Sequence, residues 1–389
     1  MSLEKRKLLS YCTNVIPYSN SSYLQNVIEV SKSLNCLSVD NFEMGLGLWL
    51  PHQAVDEITK EQQEPALFEE LKALNLFTLN GFPYADFHQS RVKENVYLPD
   101  LNSIDRIDYL KKLAKFACKS SKQKKISIST LPVGYAALST ISEQTYKTLE
   151  LLGEYLDQLF LENGVQIQIG LELEPDGLIQ RTAEAKVFFE RLYNRAPNLA
   201  RYIGVCVDAC HLAVNFERPQ EIAKNLKGIL IAKLQVSSAI KSNALESFKN
   251  FIEPKYLHQT RFKTSSEEAI VKEFKDLDEA FETYRFVENW PVGEWRSHFH
   301  VPVYWQGGDQ IQSTQKELRE VLAIFFGRHT QLECEHFEIE TYTYDVLPKE
   351  MQIGLLGQMQ KEIAHVDQLI NEITNETTNE PVEFRALEC

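Results

Sequence analysis

The sequence predicts an α/β fold in which strand–helix units close into a (β/α)8 TIM barrel. Short apolar segments rich in β-branched residues alternate with one-sided helical segments along the chain. About eight such units in roughly 350 residues match the size of a barrel that carries insertions. An open, doubly wound sheet is the alternative, but no GxGxxG turn follows the first strand to support it.

The predicted strands and helices alternate in the order that a barrel requires. Most strands are bounded by Gly, Pro or Asn, as expected for strands that are covered on both faces. The strands are Leu8–Val15, Met44–Leu50, Leu76–Gly81, Ile126–Leu131, Val165–Glu174, Ile203–Asp208, Ile229–Val236 and Phe337–Thr343. The helices between them are Ser22–Leu34, Pro65–Asn75, Ser103–Cys118, Ser142–Glu162, Thr182–Arg195 and Thr314–Phe326.

The longest departure from this alternation predicts an insertion at residues 242–312, between the seventh and eighth barrel strands. We expect one barrel domain over residues 1–348, followed by a helix over Lys349–Ile373. The segment 374–389 is polar and has no periodicity, so the sequence predicts a disordered tail.

Composition excludes some classes of function. The chain has 389 residues, with 41 Lys and Arg against 55 Asp and Glu, and a net charge of −14. Nucleic-acid binding depends on basic surfaces, so this balance opposes it. The one tight basic cluster, Lys119–Lys125, is interpreted as a solvated helix end. A small-molecule metabolite is the expected partner.

Cysteine usage and hydropathy indicate the compartment. The seven cysteines form no CxxC pair, which is typical of thiols in a reducing cytosol. The first residues lack an apolar segment long enough for a signal peptide, and no apolar run approaches the length of a membrane span. The sequence therefore predicts a cytoplasmic protein.

Polar side chains occupy the last inward positions of several predicted strands. Glu174, Asp208, Gln235 and Glu340 end the fifth to eighth strands. A buried carboxylate is costly unless a partner, a metal or a proton offsets its desolvation. Because parallel barrel strands end at one mouth, these residues predict a metal or acid/base site there. Polar residues at the ends of earlier strands are predicted to bind substrate: Asn14, Asn80 and Thr130.

Two short spacings strengthen this prediction. Glu172 and Glu174 share a strand face, and the alternative to a catalytic or metal-binding role is pairing with a core base such as Lys233. Asp208 and His211 can both reach one site across a turn. Asp suits Mg²⁺, Mn²⁺ or Zn²⁺, whereas His suits the last two or a substrate hydroxyl.

Two further pairs have open alternatives. Lys233 shares a face with Gln235 and could act as a desolvated nucleophile, or serve as the counter-ion for the surplus carboxylates. His298 and His300 lie two apart on an extended segment, which is a good spacing for metal ligands. They could equally be a pair of hydrogen-bonded structural histidines.

Together these residues resemble the xylose-isomerase-like TIM barrels, which include metal-dependent sugar isomerases, epimerases and endonuclease IV. In that superfamily a Glu closes the fifth strand, an Asp with a nearby His the sixth, usually a His the seventh, and an acid the eighth. Glu174, Asp208 with His211, and Glu340 fall on those positions, and Gln235 departs from the seventh. The resemblance implies a divalent metal cofactor, Zn, Mn or Mg.

A set of short motifs carries a narrower resemblance over residues 11 to about 348. The motifs are Tyr11-Cys-Thr-Asn14-Val, Phe77-Thr-Leu-Asn80-Gly-Phe-Pro-Tyr, Phe87-His88 with Arg91-Val-Lys-Glu, Ser129-Thr-Leu-Pro132, Leu173-Glu-Pro, Asp208-Ala-Cys-His211, Lys233-Leu-Gln-Val-Ser, His298-Phe-His-Val-Pro and Glu340-Thr-Tyr. Together they resemble the EboE family of metabolite traffic proteins, although Ile16 stands where a His is expected. The resemblance implies the processing or movement of a small metabolite, and proteins of the same operon as possible partners.

The leading hypothesis is a metal-dependent isomerase or epimerase of a sugar, polyol or related hydroxy-carbonyl metabolite. Its predicted metal ligands are Glu174, Asp208, Gln235 and Glu340, with His298 or His300 replacing the missing seventh-strand imidazole. The predicted catalytic residues are Glu174 and Glu340 for proton transfer, His211 for a substrate oxygen, and Lys233. His88 and Arg91 could bind an anionic group, or form an exposed loop salt bridge.

Two alternatives belong to other functional classes. A non-catalytic metabolite-binding or traffic factor on the same fold is favoured by Gln235 in place of His. A phosphodiesterase like endonuclease IV is favoured by the pair His298 and His300, but the acidic net charge opposes it.

Overall fold

The computed structural model describes residues 6–18, 22–60, 65–88, 92–266, 270–285, 287, 292–327, 331–344, 347–349 and 352–379. Its strands, numbered along the chain, are β1 (Lys7–Tyr11), β2 (Phe42–Met44), β3 (Leu46–Trp49), β4 (Leu76–Asn80), β5 (Lys125–Thr130), β6 (Gln166–Glu172), β7 (Ile203–Asp208), β8 (Ile231–Val236), β9 (Ser238–Ser242), β10 (Thr260–Thr264), β11 (Val271–Phe274), β12 (Gly293–Val301), β13 (Gln312–Ser313) and β14 (His336–Ile339).

Eight parallel strands form the barrel, which confirms the predicted fold class. The larger sheet has the order β2-β1-β14-β8-β7-β6-β5-β4-β3. A parallel bridge between Cys12 and Gly47 joins β1 to β3 and closes the ring. The short strand β2 pairs with β1 and leads directly into β3, so the two pieces together occupy the second barrel position.

The helices lie between the strands, as the predicted alternation requires. They are α1 (Tyr23–Asn35), α2 (His52–Lys60), α3 (Pro65–Ala73), α4 (Ile104–Ser120), α5 (Glu143–Asn163), α6 (Thr182–Arg195), α7 (Ala209–Val214), α8 (Pro219–Leu226), α9 (Leu277–Tyr284), α10 (Gln315–Phe326) and α11 (Leu355–Asn379). Within the described residues, no helix has both the length and the hydropathy needed to cross a membrane.

Sequence reasoning missed the short helices. The six residues of α7 are all buried, so this helix has no polar face and no amphipathic period to reveal it. The eight residues of α8 span little more than two turns, which is too short for periodicity to separate a helix from a loop.

Several barrel strands end earlier than predicted, and β1 and β14 do so by four residues each. The ladder of β1 stops at Tyr11, and Thr13–Val15 form a 3-10 turn. The ladder of β14 stops at Ile339 rather than Thr343. The chain turns away at the mouth, which places Asn14 and Glu340 just beyond the last paired residues.

The segment between β8 and β14 folds as a second sheet. Its order is β11-β10-β12-β9-β13, and neighbouring strands are antiparallel. It has its own apolar core, in which Trp295 packs against Phe262, Phe274 and Tyr284. The long strand β12 ends over the barrel mouth, where it carries His298 and His300.

An ion pair fills the barrel interior below the mouth. Nζ of Lys233 donates to Oε2 of Glu338 at 2.5 Å, and both side chains are fully buried. Burial lowers the pKa of Lys233, but the Glu338 carboxylate more than offsets this, so the pKa lies above its ordinary value. Gly47 leaves room for the pair, because a Cβ there would lie 1.9 Å from Oε1 of Glu338.

The C-terminal helix corrects the predicted boundaries. Helix α11 begins at Leu355 rather than Lys349, because Gly354 has a φ of +91°, which an α-helix cannot contain. It continues to Asn379, although the sequence predicted disorder from Thr374. Extending a formed helix costs little, and Thr374 bonds the Ile370 carbonyl with its hydroxyl at 2.9 Å. Residues 380–389 lie outside the described part of the chain.

Glu362 of α11 joins distant parts of the barrel. Its buried carboxylate accepts hydrogen bonds from the Tyr11 hydroxyl at 2.7 Å, the Val303 amide at 3.0 Å and the Thr341 hydroxyl at 2.8 Å. The helix thereby links the first strand, the segment between β12 and β13, and the segment after β14.

We expect Gly47→Ala to destabilise the protein by about 1–3 kcal/mol, because the added methyl overpacks the interior against Glu338. Gly357→Ala on α11 is the matched control, since a Cβ there meets no atom within 4 Å. It should be neutral or stabilising by up to about 1 kcal/mol. Urea denaturation measures both, and equal stability of the two variants would contradict the steric account.

We expect Lys233→Met to lower the free energy of unfolding by about 3–5 kcal/mol, because it leaves the Glu338 carboxylate buried without its partner. Adding Glu338→Gln removes that charge and should restore much of the loss. The measurement is denaturant unfolding of both variants. A double variant no more stable than Lys233→Met would show that the ion pair is not the cause.

Candidate metal centre

The site lies at the carboxyl ends of the barrel strands, under the end of β12. The last residues of β6 and β7 and the segments after β6 and β14 supply carboxylates, and α7 and β12 supply imidazoles. These groups are buried, with exposed fractions of 8% or less for the acid and His side chains that take part in ion pairs.

Asp208 fixes the position of His211. It ends β7 and caps α7, because its Oδ1 accepts the backbone N–H of His211 at 2.9 Å. The same oxygen accepts the hydroxyl of Ser237 at 2.9 Å. A strand that runs directly into a short capped helix therefore holds the His211 ring at the mouth.

The Nδ1 atoms of the imidazoles bond oxygen acceptors. Nδ1 of His211 lies 3.0 Å from the Leu173 carbonyl, and Nδ1 of His300 lies 2.7 Å from the Glu340 carbonyl. A carbonyl oxygen only accepts, so both Nδ1 atoms carry the proton. Nδ1 of His298 lies 2.7 Å from Oε1 of Gln259. The Gln259 amide nitrogen donates to the Pro175 carbonyl at 3.1 Å, which turns its oxygen towards His298.

This arrangement brings unprotonated nitrogens into contact. In neutral rings protonated at Nδ1, each Nε2 carries a lone pair. Nε2 of His211 lies 3.0 Å from Nε2 of His298 and 3.4 Å from Nε2 of His300. Burial lowers the pKa of His211 to about 4 and also lowers the pKa values of His298 and His300, so the rings are neutral at pH 7.

Contacts between lone pairs repel unless a cation lies among them, so this donor set fits a metal ion. Two imidazole nitrogens that bind one Zn²⁺ at 2.0–2.1 Å, at a tetrahedral angle, lie about 3.3 Å apart. A histidine that binds a metal through Nε2 usually donates its Nδ1 proton to an oxygen acceptor, as these rings do. Nitrogen donors favour Zn²⁺ or Mn²⁺ over Mg²⁺.

The imidazoles belong to overlapping groups whose ligand atoms lie within 4.8 Å of one another. Glu174 joins His211 and His298 in one, and Asp208 joins His211 and His300 in another. A further group combines Cys210 with His298 and His300. The buried Cys210 thiol has a pKa well above its ordinary value because of its desolvation, so an ion is needed to ionise it.

Glu174 lies between the imidazoles and a tyrosine. Its Oε2 is 3.9 Å from Nε2 of His211, and its Oε1 accepts the Tyr97 hydroxyl at 3.0 Å. Burial raises the pKa of Glu174 to about 8, although the hydrogen bond from Tyr97 opposes the shift. The carboxyl group can therefore hold or release a proton near neutral pH.

A second group consists of acids alone. Oxygens of Glu172, Asp208 and Glu340 lie within 4.8 Å of one another. Oε2 of Glu172 and Oδ2 of Asp208 are buried and have no hydrogen-bond partner among the described residues. Burial, and then the neighbouring carboxylates, raise the pKa values of Glu172 and Glu340 well above the ordinary range. A cation or shared protons must compensate this group.

Of the polar strand-end residues predicted to bind substrate or metal, some line the cavity and others do not. Asn14 and Asn80 line the cavity, but both amides donate to Oε1 of Glu340, at 2.6 and 2.9 Å. Gln235 and Thr130 do not line it. Oε1 of Gln235 accepts the Cys206 thiol at 3.1 Å, so the geometry gives it no position beside the imidazoles.

Lys233 and His88 do not line the cavity, and each has a hydrogen-bond partner. The raised pKa and ion pair of Lys233 match the counter-ion alternative, although its partner is Glu338 rather than the acids at the mouth. The predicted role of Lys233 as a nucleophile therefore has no geometric support. Nε2 of His88 bonds the Asn14 carbonyl at 2.6 Å. Arg91 lies outside the described residues.

The sequence analysis considered Glu172 but favoured Glu174, and it missed other residues that shape the site. Glu172, rather than Glu174, joins Asp208 and Glu340, because the strand ladder ends at Glu172 and the chain then turns. The Tyr342 hydroxyl lies 3.4 Å from Nε2 of His298. Its position two residues after Glu340 was a sequence signal that could have placed it at the mouth. Tyr97 ends the 3-10 helix Lys93–Tyr97 and Gln259 directly precedes β10, and neither segment carries such a pattern.

The imidazoles and carboxylates face a cavity that is partly open to solvent. Its lining comes from the barrel mouth, from the 3-10 helix Lys93–Tyr97 and from the inserted segment. These residues are Asn14, Asn80, Phe82, Pro83, Phe87, Val92, Lys93, Val96, Tyr97, Glu172, Glu174, His211, Tyr256, Leu257, His298, His300, Glu340 and Tyr342.

Comparisons with known proteins give general likenesses only. No family model matches the sequence. No curated protein matches it either. A xylose isomerase domain-containing protein from Salmonella typhimurium LT2 has a TM-score of 0.45 and 11% identity, over 95% of this chain and 99% of that one.

Two other solved structures also have low sequence identity to this chain and TM-scores below 0.5. A xylose isomerase domain protein from Alicyclobacillus acidocaldarius has a TM-score of 0.42 and 14% identity, over 94% of this chain and 98% of that one. D-allulose 3-epimerase from Methylomonas sp. has a TM-score of 0.37 and 11% identity, over 59% of this chain and 73% of that one. The barrel assignment for this chain follows from its own strand pairing.

We expect His298→Ala and His300→Ala each to weaken Zn²⁺ or Mn²⁺ binding by at least about tenfold, because each removes an imidazole beside His211. His365→Ala on α11 is the matched control and should bind as the wild type does. Competition with a chromogenic chelator measures the affinity, and elemental analysis measures the stoichiometry. Wild-type metal affinity in both site variants would remove the imidazoles of β12 from the ligand set.

Proposed function

We propose that this protein is a metal-dependent enzyme that isomerises or epimerises a small hydroxy-carbonyl metabolite. The observation that carries the proposal is the contact of Nε2 of His211 with Nε2 of His298 and of His300, among rings whose Nδ1 protons are engaged elsewhere. Such a set of lone pairs is a site prepared for a cation.

The residues proposed to hold the metal are His211 and His298 with Glu174, or His211 and His300 with Asp208. Zn²⁺ and Mn²⁺ suit this mixture of imidazole and carboxylate donors. When bound, the metal would polarise the carbonyl and hydroxyl oxygens of a substrate.

The chain supplies acid and base groups on two sides of the cavity. Glu174 follows β6 and is held by Tyr97, whereas Glu340 follows β14 and is held by the amides of Asn14 and Asn80. Epimerisation beside a carbonyl removes a proton from carbon on one face and returns one on the other. We propose that these carboxyl groups exchange those protons, and that the enclosing aromatic side chains exclude water.

A phosphodiesterase is the second candidate, and the imidazole pair on β12 is the observation that favours it. The cavity opposes a phosphodiesterase, because Lys93 is the only Lys or Arg among the described lining residues and is paired with Asp276.

The resemblance to metabolite traffic proteins supports a place in metabolite processing or export, with proteins of the same operon as possible partners. A carrier that binds without reaction remains the non-catalytic alternative.

We expect the metal-loaded protein to exchange a carbon-bound proton of a suitable ketose or α-hydroxy ketone with D₂O. Proton NMR of a panel of such compounds measures the exchange. Glu174→Gln should slow it by at least about 100-fold, because the amide cannot accept the proton. Glu372→Gln on the exposed face of α11 is the control and should keep the wild-type rate.

The outcomes of this experiment separate the candidates. Metal binding without exchange on any compound that binds would favour the carrier. Cleavage of a chromogenic phosphodiester, lost in His298→Ala, would favour the hydrolase. Exchange that persists after the metal is removed would contradict the proposed role of the metal.

A further inference from the structure

We infer that the substrate carries an apolar group next to its metal-binding oxygens. The inference rests on the proposed function, and it concerns the wall of the same cavity rather than its floor. The floor holds the imidazoles and carboxylates, whereas most of the wall is aliphatic or aromatic carbon, from Phe82, Val96, Tyr97, Tyr256, Leu257 and Tyr342.

Two of the tyrosines on this wall direct their hydroxyls towards the floor. The Tyr97 hydroxyl donates to Glu174 at 3.0 Å and accepts the Gln259 amide at 3.1 Å. The Tyr342 hydroxyl lies 3.4 Å from Nε2 of His298. Because these polar ends are used at the floor, the rings present carbon atoms to the rest of the cavity.

The cationic group at the wall is already paired. Lys93 donates its ammonium group to Asp276. The other oxygen of Asp276 accepts the backbone amides of Leu277 and His258, at 2.9 and 3.1 Å, so the carboxylate is held in place. A phosphate or second carboxylate on the substrate would find no unpaired Lys or Arg among the described lining residues.

This wall suits an apolar group better than a polyol chain. A hydroxyl that leaves water for an apolar wall loses its hydrogen bonds, which is unfavourable. A phenyl or alkyl group gains free energy there in proportion to the apolar area it buries.

The test uses two hydroxamates, which chelate a metal through the same pair of oxygens and differ in one substituent. Acetohydroxamate carries a methyl group and benzohydroxamate a phenyl ring. Titration calorimetry on the Zn²⁺-loaded full chain measures both dissociation constants, after correction for their affinities for free Zn²⁺. We expect benzohydroxamate to bind at least about tenfold more tightly than acetohydroxamate.

Wall variants locate the preference. Leu257→Asn and Val96→Asn should each reduce the benzohydroxamate preference to about twofold or less while acetohydroxamate binds as before. Val187→Asn on α6 is the matched control, since Val187 is 68% exposed, and it should keep the wild-type preference. Circular dichroism and metal content establish that each variant is folded and loaded.

The results distinguish this inference from the proposed function. If acetohydroxamate binds and benzohydroxamate binds no better, the apolar wall does not select the substrate, while the metal site stands. If a preference exists but persists in both wall variants, the ring lies elsewhere and the inference is wrong. If neither hydroxamate binds the loaded protein, the proposed metal site fails and the inference fails with it.

Discussion

Charge balance inside the barrel is the constraint on which the rest of the structure depends. In the part of the chain that the structure describes, five buried carboxylates lie within or just above the ring of strands: Glu172, Glu174, Asp208, Glu338 and Glu340. Lys233 is the buried ammonium group among them, and it pairs with Glu338. The remaining acids share the mouth with imidazoles that are neutral. Asparagine amides, a tyrosine hydroxyl and a helix N-terminus satisfy some oxygens, but they add no positive charge. A bound cation or retained protons must complete the balance.

The inserted sheet supplies what the barrel strands lack at this site. Gln235 on β8 offers an amide where an imidazole would be usual in the superfamily that the sequence resembles, and its oxygen is engaged by Cys206. Strand β12 brings His298 and His300 to His211 from above the mouth instead. Gln259, on the segment before β10, orients His298 and also contacts Tyr97. The insertion therefore supplies both donors and the groups that orient them.

The barrel could be predicted from sequence because each strand is a short apolar segment with its own boundaries. The convergence of Asp208, His211 and Glu340 also followed, since parallel strands end at one mouth. The choice between Glu172 and Glu174 did not follow, because it depends on the residue at which the ladder of β6 ends. The partners of Lys233, Asn14 and Asn80 depend on side-chain contacts across the barrel, which no local pattern encodes. The proposed roles in binding metal and substrate are still predictions.

The hydrogen bonds of Glu362 have a consequence for the order in which the chain can complete its fold. The N-terminal strand β1 finds its barrel neighbour in β14, more than 320 residues later, and the Tyr11 hydroxyl finds its acceptor on the last helix. During synthesis on a ribosome, β1 therefore has one exposed edge until β14 has emerged. The barrel therefore closes late in folding. The mouth, with its histidines and carboxylates, is assembled only when the barrel closes.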